Sequence, residues 1–251
     1  MPFKEYIDNL HNLGKTLIDI NKSAFSIFTA DIKNDVIKKK IISRSVDISD
    51  EYSNDPLNTN LQTYNKKILS CAKCIFSEKR KNVVLGKGSN SPLIMFIGKA
   101  PKIEEDDKSS PFQGEIGEVL KNILNKVLFT PEETAYFTNI LKCRISVESQ
   151  SQIKKSISVC SEYLFNEIAI LKPKIICALG NEAISALLSG SGRGESFTLN
   201  DIRGKIFYYN SIPVMPTYNP SAFISHPDPN KSKRKMVFAD MLELKKIIDT
   251  L

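Results

Sequence analysis

The chain has 251 residues, of which 41% are hydrophobic and 25% are charged, and its formal net charge is +7. This length suffices for a buried core, and the composition excludes a collagen-like chain, a mostly disordered chain and a disulfide-stabilised miniprotein. No apolar run reaches the roughly 18 residues that a membrane helix needs, and the N-terminal residues contain no secretion signal. We therefore expect a soluble, cytoplasmic protein with no membrane partner.

The charge balance favours an acidic partner. There are 35 Lys and Arg residues against 28 Asp and Glu residues, and the sequence pI is about 9.0. A basic protein of this kind is typical of nucleic-acid binding. The alternative is a bias in composition, because Lys, Ile, Asn and Ser are abundant along the whole chain. Charge alone gives only a mild preference for nucleic acid.

The N-terminal quarter of the chain differs from the rest. Apolar residues recur at helical spacing through residues 4–28, which predicts an amphipathic N-terminal helix in segment 1–28. Residues 29–65 are rich in charged and amide side chains and read as a polar linker. We expect the main domain to span residues 66–251.

Strand and helix patterns alternate along the main domain. Strands are predicted at 93–98, 135–140, 174–179, 206–209 and 212–215, and helices at 116–127, 151–171, 181–188 and 232–251. Such alternation predicts an α/β fold with a mostly parallel sheet and helices on both faces. In sheets of this kind the functional loops follow the carboxyl ends of the strands.

Four of the five cysteines form two pairs. Cys71 and Cys74 stand as C-x2-C, and Cys143 and Cys160 are separated by 16 residues. A reducing compartment makes disulfides improbable, whereas four thiolates suit a tetrahedral site that holds zinc or an iron–sulfur cluster. The fifth, Cys177, lies in an apolar run and is interpreted as a core residue.

Two of the loops that follow predicted strands carry unusual residues. Loop 98–114 contains four successive acids and then Phe112 after a proline, where ordering an aromatic ring requires something for it to pack on. The alternative for this loop is a solvated acidic turn. Loop 138–144 places Asn139 at a strand end near Cys143, where an asparagine can also simply cap or turn the chain.

A third loop, 215–235, is punctuated by prolines. It contains Phe223 and Ile224, which the polar surroundings predict to be exposed, and then the basic residues Lys231, Lys233 and Arg234. These cations suit contacts with phosphates, although they can also be no more than the start of a helix.

Together these segments resemble the uracil-DNA glycosylase superfamily, specifically its iron–sulfur branch, family 4. The resemblance covers roughly residues 66–250. It rests on the ordered coincidence of the C-x2-C pair, segment 98–114, segment 138–143, Cys160, the Arg203-Gly204 pair and the Asn219-Pro220-Ser221 triplet. It implies a three-layer α/β/α fold with a central, mostly parallel four-stranded sheet, and a [4Fe–4S] cluster held by Cys71, Cys74, Cys143 and Cys160.

The resemblance also implies roles in base recognition and DNA binding. Uracil would be flipped out of DNA into a pocket formed by Gly98, Ala100, Phe112 and Asn139, with Phe112 stacking on the base and Asn139 reading its O4 and N3 edge. In the third loop, Phe223 and Ile224 would form a wedge in the minor groove. Ser221, Lys231, Lys233 and Arg234 would bind the DNA.

The implied chemistry is hydrolysis of the N-glycosidic bond, which leaves an abasic site for base excision repair. Backbone N–H groups near Ala100 and the side chain of Asn219 would stabilise the uracil anion. Glu105 or Asp106 would offset the sugar cation or orient the water.

Two departures from the family pattern leave alternatives open. Lys99 stands where the family has an acid, and Asn219 stands where it has a histidine. An active glycosylase is the first interpretation, and a DNA-binding relative that is weak or inactive in catalysis is the second. In a third, the cysteines bind structural zinc and the N-terminal helix binds a protein partner. We expect a monomer that acts on uracil-containing DNA at the nucleoid.

Overall fold

The computed structural model describes residues 61–146, 149–189, 198–226, 228 and 230–251. The predicted N-terminal helix and most of the predicted linker lie outside this part. The first described helix, α1 (Leu61–Leu69), crosses the predicted boundary at residue 66. Its Tyr64 and Ile68 are buried, so α1 packs with the main domain, and the division of the chain at residue 66 stays a prediction.

A six-stranded sheet forms the centre of the domain. Its strands are β1 (Lys87–Gly88), β2 (Ile94–Gly98), β3 (Ala135–Asn139), β4 (Ile175–Leu179), β5 (Phe207–Tyr209) and β6 (Ile212–Thr217). Their order is β1-β3-β2-β4-β6-β5, in which β3, β2, β4 and β6 are parallel and the edge strands β1 and β5 are antiparallel. The mostly parallel α/β sheet is confirmed. The four parallel strands match the predicted number, and the two short edge strands extend it to six.

The helices follow the strands in alternation. They are α2 (Ile103–Lys108), α3 (Gly114–Ile123), α4 (Gln150–Leu171), α5 (Asn181–Ser189), α6 (Leu199–Ile202), α7 (Ser221–Ile224) and α8 (Ser232–Ile248). The longest, α4, starts with a capping box in which the side chains of Ser149 and Gln152 accept each other's backbone N–H groups. After α3 the chain continues through a π-helical turn, Leu124–Leu128.

The central strands are buried on both faces, as the unbroken apolar runs at β2 and β4 require. On one face Ile97 and Ile176 pack with Leu164 and Ile168 of α4 and Ile184 of α5. On the other side α8 contacts β6 and the π-helical turn. None of the helices in the described part of the chain is both long and apolar enough to cross a membrane.

Candidate active site

The sheet order brings four chain segments to one edge. β3 ends at Asn139 and its neighbour β2 ends at Gly98, with these two residues in register. β4 is followed by Gly180, and β6 by the segment that contains Asn219. Because the four strands are parallel, their carboxyl ends lie side by side, and the predicted base-binding residues meet there.

Gly98, Phe112 and Asn139 converge at this edge. A Cβ atom added at Gly98 would collide with Oδ1 of Asn139 and would lie 2.9 Å from Cζ of Phe112. Both side chains are buried. Phe112 has a φ of 49° and its ring packs against Phe137, with the centroids 6.0 Å apart. The glycine therefore leaves room for an aromatic ring and an amide to approach the same point.

Glu105 holds this arrangement in place. Its Oε1 accepts hydrogen bonds from the backbone N–H of Phe112 at 2.7 Å and from Nδ2 of Asn139 at 3.2 Å. Its Oε2 accepts from the backbone N–H of Lys102 at 2.8 Å, which caps α2. Burial raises the pKa of Glu105 above the ordinary glutamate value, although the hydrogen bonds from Lys102, Phe112 and Asn139 act in the opposite direction.

Asp106, the next residue, faces a different part of the molecule. Its carboxylate accepts backbone hydrogen bonds from Lys81 and Asn82 and an Nε–H bond from Arg144 at 3.3 Å. Lys81 and Asn82 follow the C-x2-C pair along the chain, and Arg144 follows Cys143. Asp106 thus ties α2 to the cysteine-bearing segments, and its predicted role in hydrolysis stays a prediction.

The loop after β6 fixes the orientation of Asn219. Oδ1 of Asn219 accepts the backbone N–H of Ser221 at 2.9 Å, so the Nδ2 group points away from this turn. An N–H donor is what the position needs if it is to bind an anionic oxygen. Behind it, Thr217 at the end of β6 donates to the buried Asp240 of α8 at 2.6 Å.

Lys99 forms an ion pair that the sequence did not reveal. Its Nζ lies 2.7 Å from Oε1 of Glu182, in the first turn of α5. The pair joins the carboxyl ends of the neighbouring strands β2 and β4. Partial burial has the largest single influence on the pKa of Glu182, and it raises this pKa because it disfavours the charged form. The hydrogen bond from Lys99 and its own backbone N–H nevertheless lower the pKa of Glu182 overall.

The predicted wedge is only partly exposed. Phe223 is 6% exposed, with the guanidinium of Arg234 5.3 Å from its ring centroid, so the prediction that it is exposed was wrong. Phe223 and Ile224 both lie in the short helix α7, which contacts α3 and α8 and turns Phe223 inward. Ile224 is half-buried.

The basic cluster stabilises this helix. Nζ of Lys233 donates to the carbonyl oxygen of Ala222 at 3.3 Å, and Nη2 of Arg234 donates to that of Phe223 at 3.5 Å. The two cations thereby satisfy carbonyl groups of α7 and favour its C-terminal end electrostatically. Lys231 has a φ of 51° and immediately precedes α8.

A fully buried ion pair lies behind Asn139. Nζ of Lys142 is 2.7 Å from Oε2 of Glu167, and it donates to Oγ1 of Thr138 at 2.7 Å and to the backbone carbonyl of Asn139 at 2.9 Å. Both charged side chains are at most 2% exposed. The network fixes the backbone at the end of β3, which carries the side chain of Asn139.

The four paired cysteines pack in one apolar cluster. Cys143 and Cys160 are buried, and Cys71 and Cys74 lie half-buried against the same cluster. The other buried members of this cluster are Tyr64, Ile68, Phe76, Val83, Leu141, Ile153 and Tyr163. Nη1 of Arg80 donates to Sγ of Cys143 at 3.3 Å. Ala100 also packs on this cluster. Cys177 is fully buried in β4, as predicted for a core residue.

No group of three or more His, Cys, Asp or Glu side chains within the described ranges is arranged as a metal site. The four cysteines border one apolar cluster as free thiols, without forming such an arrangement in this part of the chain. The residues that sequence reasoning missed are Glu182, Lys142 and Glu167, since their partners are 25 to 83 residues away in the chain.

Comparison with known proteins agrees with this fold. The model of the uracil DNA glycosylase superfamily matches residues 85–243, which is more than half of the chain. The chain belongs to this superfamily.

Several relatives of the chain are type-4 uracil-DNA glycosylases. A type-4 uracil-DNA glycosylase of Sulfurisphaera tokodaii is 31% identical, over 76% of this chain and 86% of the relative. One of Saccharolobus solfataricus is 32% identical, over 76% and 88%, and one of Pyrobaculum aerophilum is 32% identical, over 67% and 86%.

Proposed function

We propose that this protein is a uracil-DNA glycosylase that removes uracil from DNA by hydrolysing the N-glycosidic bond, as the first step of base excision repair. The observation that carries this function is the convergence of Phe112, Gly98 and Asn139, with Glu105 bonded to the first and third. Family membership and the names of the relatives support the same activity.

Base selection follows from the orientation of the Asn139 amide. One hydrogen of Nδ2 is donated to Glu105, which leaves the other for O4 of uracil, while Oδ1 accepts N3–H. Cytosine carries an amino group at C4 and an acceptor at N3. Its amino group would meet the Nδ2 donor of Asn139, and its N3 would meet the Oδ1 acceptor, so neither hydrogen bond could form. Phe112 stacks on the ring, and Gly98 leaves space for it.

Bond cleavage places negative charge on the departing uracil, and this charge must be stabilised. The backbone N–H of Ala100 and the Nδ2 group of Asn219 are the donors that we assign to O2. Because both oxygens of Glu105 accept hydrogen bonds from neighbouring groups, its role is to position Phe112 and Asn139. Ile224 is the wedge residue, while Lys233 and Arg234 hold the helix that presents it.

We further propose that Cys71, Cys74, Cys143 and Cys160 hold a [4Fe–4S] cluster. Two observations support this assignment: four free thiols border one apolar cluster, and a guanidinium N–H bonds one of the sulfurs. When bound, the cluster would cross-link α1, α4 and the segment after β3. Asp106 and Arg144 would brace the same segments from the side of the base pocket.

The remaining features concern partners. We propose that the protein acts as a monomer at the nucleoid, where its substrate is found, and that the segment before residue 29 serves a protein partner. Sedimentation of the full chain with and without a uracil-containing oligonucleotide would test the monomer.

The activity is tested by single-turnover excision on a labelled oligonucleotide that carries one uracil, using anaerobically purified protein. We expect an abasic product that alkali cleaves, and loss of that product in Asn139→Asp. Binding without product in the wild type would instead support the alternative of a non-catalytic DNA-binding relative. Activity that appears only in Asn219→His would identify the missing histidine as the cause.

The cluster is tested with cysteine variants matched in chemistry. Cys143→Ser should lose iron, sulfide and brown colour, whereas Cys177→Ser should keep all three, because Cys177 lies in the sheet core. Equal iron content in the two variants would contradict the ligand assignment. Zinc in place of iron in the wild type would contradict the cluster itself.

A further inference from the structure

We propose that the Lys99–Glu182 ion pair is part of the catalytic machinery, with Glu182 as the carboxylate at the sugar and Lys99 as a cation at the departing uracil. This inference rests on the proposed excision of uracil and assigns two further residues to it. It is drawn from the sheet order, the contacts of the other carboxylates and the charges that develop in the reaction.

The reaction needs an available carboxylate. When the C1′–N1 bond breaks, both electrons leave with uracil and C1′ becomes cationic until water attacks it. Both oxygens of Glu105 accept hydrogen bonds from α2, Phe112 and Asn139. Both oxygens of Asp106 accept bonds from the loop after the C-x2-C pair and from Arg144. Both of these buried carboxylates are thus held by contacts within the protein.

Glu182 has the required exposure and charge. Its side chain is 42% exposed, and it stays ionised at neutral pH because Lys99 and the N-terminus of α5 favour its anionic form. Lys99 is 29% exposed, and its ammonium group has three N–H donors, of which Glu182 Oε1 accepts one. A second donor can therefore reach a ligand while the ion pair is kept.

The sheet order places the pair at the glycosidic bond. A base that presents its O4 and N3 edge to Asn139 of β3 extends across Gly98 of β2, so N1 on the opposite side of the ring faces β4 and β6. Adjacent strands are about 4.8 Å apart, which puts the end of β4 about 10 Å from that of β3. Lys99 and Glu182 stand at the ends of β2 and β4, between the base pocket and Asn219.

The polarity of the pair matches that of the reaction. Lys99, next to Gly98 in the chain, is on the side of the departing anion, and Glu182 is on the side of the sugar. A half-exposed ion pair contributes little to stability, so stability alone gives it little reason to occupy this edge. Charges fixed in advance where opposite charges develop stabilise a transition state without reorganisation.

The step balances without a further reactant. The C1′–N1 bond breaks, a water oxygen forms the new bond to C1′, and the proton that this water loses is taken by the carboxylate of Glu182. The uracil anion, held at O2 by Lys99, is then protonated at N1 from Glu182 or from solvent. The products are free uracil and an abasic site.

Single-turnover excision at saturating protein tests the two roles. Glu182→Gln keeps the shape of the side chain and should slow excision on the order of 100-fold, with Glu182→Asp between it and the wild type. Lys99→Met should also slow excision by about 100-fold. Glu243→Gln is the matched control. It breaks an exposed ion pair with Lys246 within α8, at positions distant in the chain from Lys99 and Glu182, and it should leave the rate unchanged.

Binding to an oligonucleotide with a non-cleavable 2′-fluoro-2′-deoxyuridine separates the outcomes, and we expect all variants to bind as the wild type does. Glu182→Gln with the rate of Glu243→Gln would overturn the role of Glu182 while leaving the proposed function intact. Weaker binding by Lys99→Met, with an unchanged rate at saturation, would make Lys99 a phosphate contact and overturn its role. A wild type without excision would overturn both this inference and the proposed function.

Discussion

Oε1 of Glu105 accepts one hydrogen bond from the amide nitrogen of Asn139 and another from the backbone N–H of Phe112. One oxygen atom thereby sets the orientation of the Asn139 amide and the position of the Phe112 ring. The amide can turn over only by giving up this acceptor. In the function that we propose, discrimination between uracil and cytosine therefore depends on Glu105 as much as on Asn139.

We expect Glu105→Gln to relax discrimination between uracil and cytosine and to slow excision of uracil. The amide nitrogen of the new glutamine can face Asn139, whose amide would then turn to present Oδ1 to it and direct Nδ2 at N3 of the base. The measurement is the ratio of single-turnover rates on uracil- and cytosine-containing oligonucleotides. Glu104→Gln, an exposed neighbour in α2, is the control and should keep the wild-type ratio.

On acidification, the rate of excision should begin to fall at a pH above 4.5, the ordinary pKa of glutamate, because burial raises the pKa of Glu105. Protonated Glu105 loses its capacity to accept both bonds at Oε1. A raised pKa means that the folded protein binds this proton more tightly than the unfolded chain, so this residue's contribution to stability increases as pH falls. An acid limb in the rate profile of the wild type, absent in Glu105→Gln, is the expected result.

That acid limb must not reflect unfolding. The unfolding temperature of the wild type minus that of Glu105→Gln should rise as pH falls through the same range. If the excision rate and this difference in unfolding temperature both fell with pH, the assignment of the acid limb to Glu105 would be contradicted.

Gly98→Ala should abolish uracil excision and leave the protein folded. The added methyl group would meet Oδ1 of Asn139 and the ring of Phe112, both of them side-chain atoms that can shift at the expense of the pocket. Gly117→Ala would instead meet the backbone carbonyl of Phe112, so it should lower the unfolding temperature as well. Circular dichroism melts of the two variants provide the comparison, and a Gly98→Ala protein that still excises uracil would refute the proposed pocket.

Lys142→Met should destabilise the domain by about 3–5 kcal/mol, because it leaves Glu167 charged and buried without its partner. Adding Glu167→Leu should restore most of this stability, since an apolar pair of similar volume replaces the ion pair. Excision should remain slow in the double variant, as the carbonyl of Asn139 has lost its donor. Urea unfolding and single-turnover rates measure the two effects, and full activity in the double variant would show that the network serves stability alone.

The strands could be predicted because each is a short apolar run next to glycine, proline or polar residues. β2 and β4 are buried at every position, and the periods of α4 and α8 extended over enough residues to be clear. No helix was predicted at the acidic run 104–107, for which a solvated turn was the alternative interpretation. The run forms α2, because the side chain of Glu105 caps its own helix, a contact visible only once the backbone is placed.

The candidate site was predicted less completely than the fold. The base pocket of Gly98, Ala100, Phe112 and Asn139 was implied by the resemblance to family 4, because the residue types alone also allowed a solvated turn and a capping asparagine. Phe223 was misjudged because α7 has only four residues, too few for a helical period to show which side faces inward. Lys99–Glu182 and Lys142–Glu167 join residues 83 and 25 positions apart, and charged side chains carry no sequence signal of which partner they will meet.

The hydrogen bond from Thr217 to Asp240 has a consequence for biosynthesis. Asp240 lies in α8, 23 residues after Thr217 in the chain, and it anchors the end of β6 from which the Asn219 segment departs. During translation, the ends of β2 and β3 are made well before this anchor. The Asn219 segment therefore gains firm support only when α8 docks, so a chain that stopped before α8 would have the Gly98, Phe112 and Asn139 segments without this support.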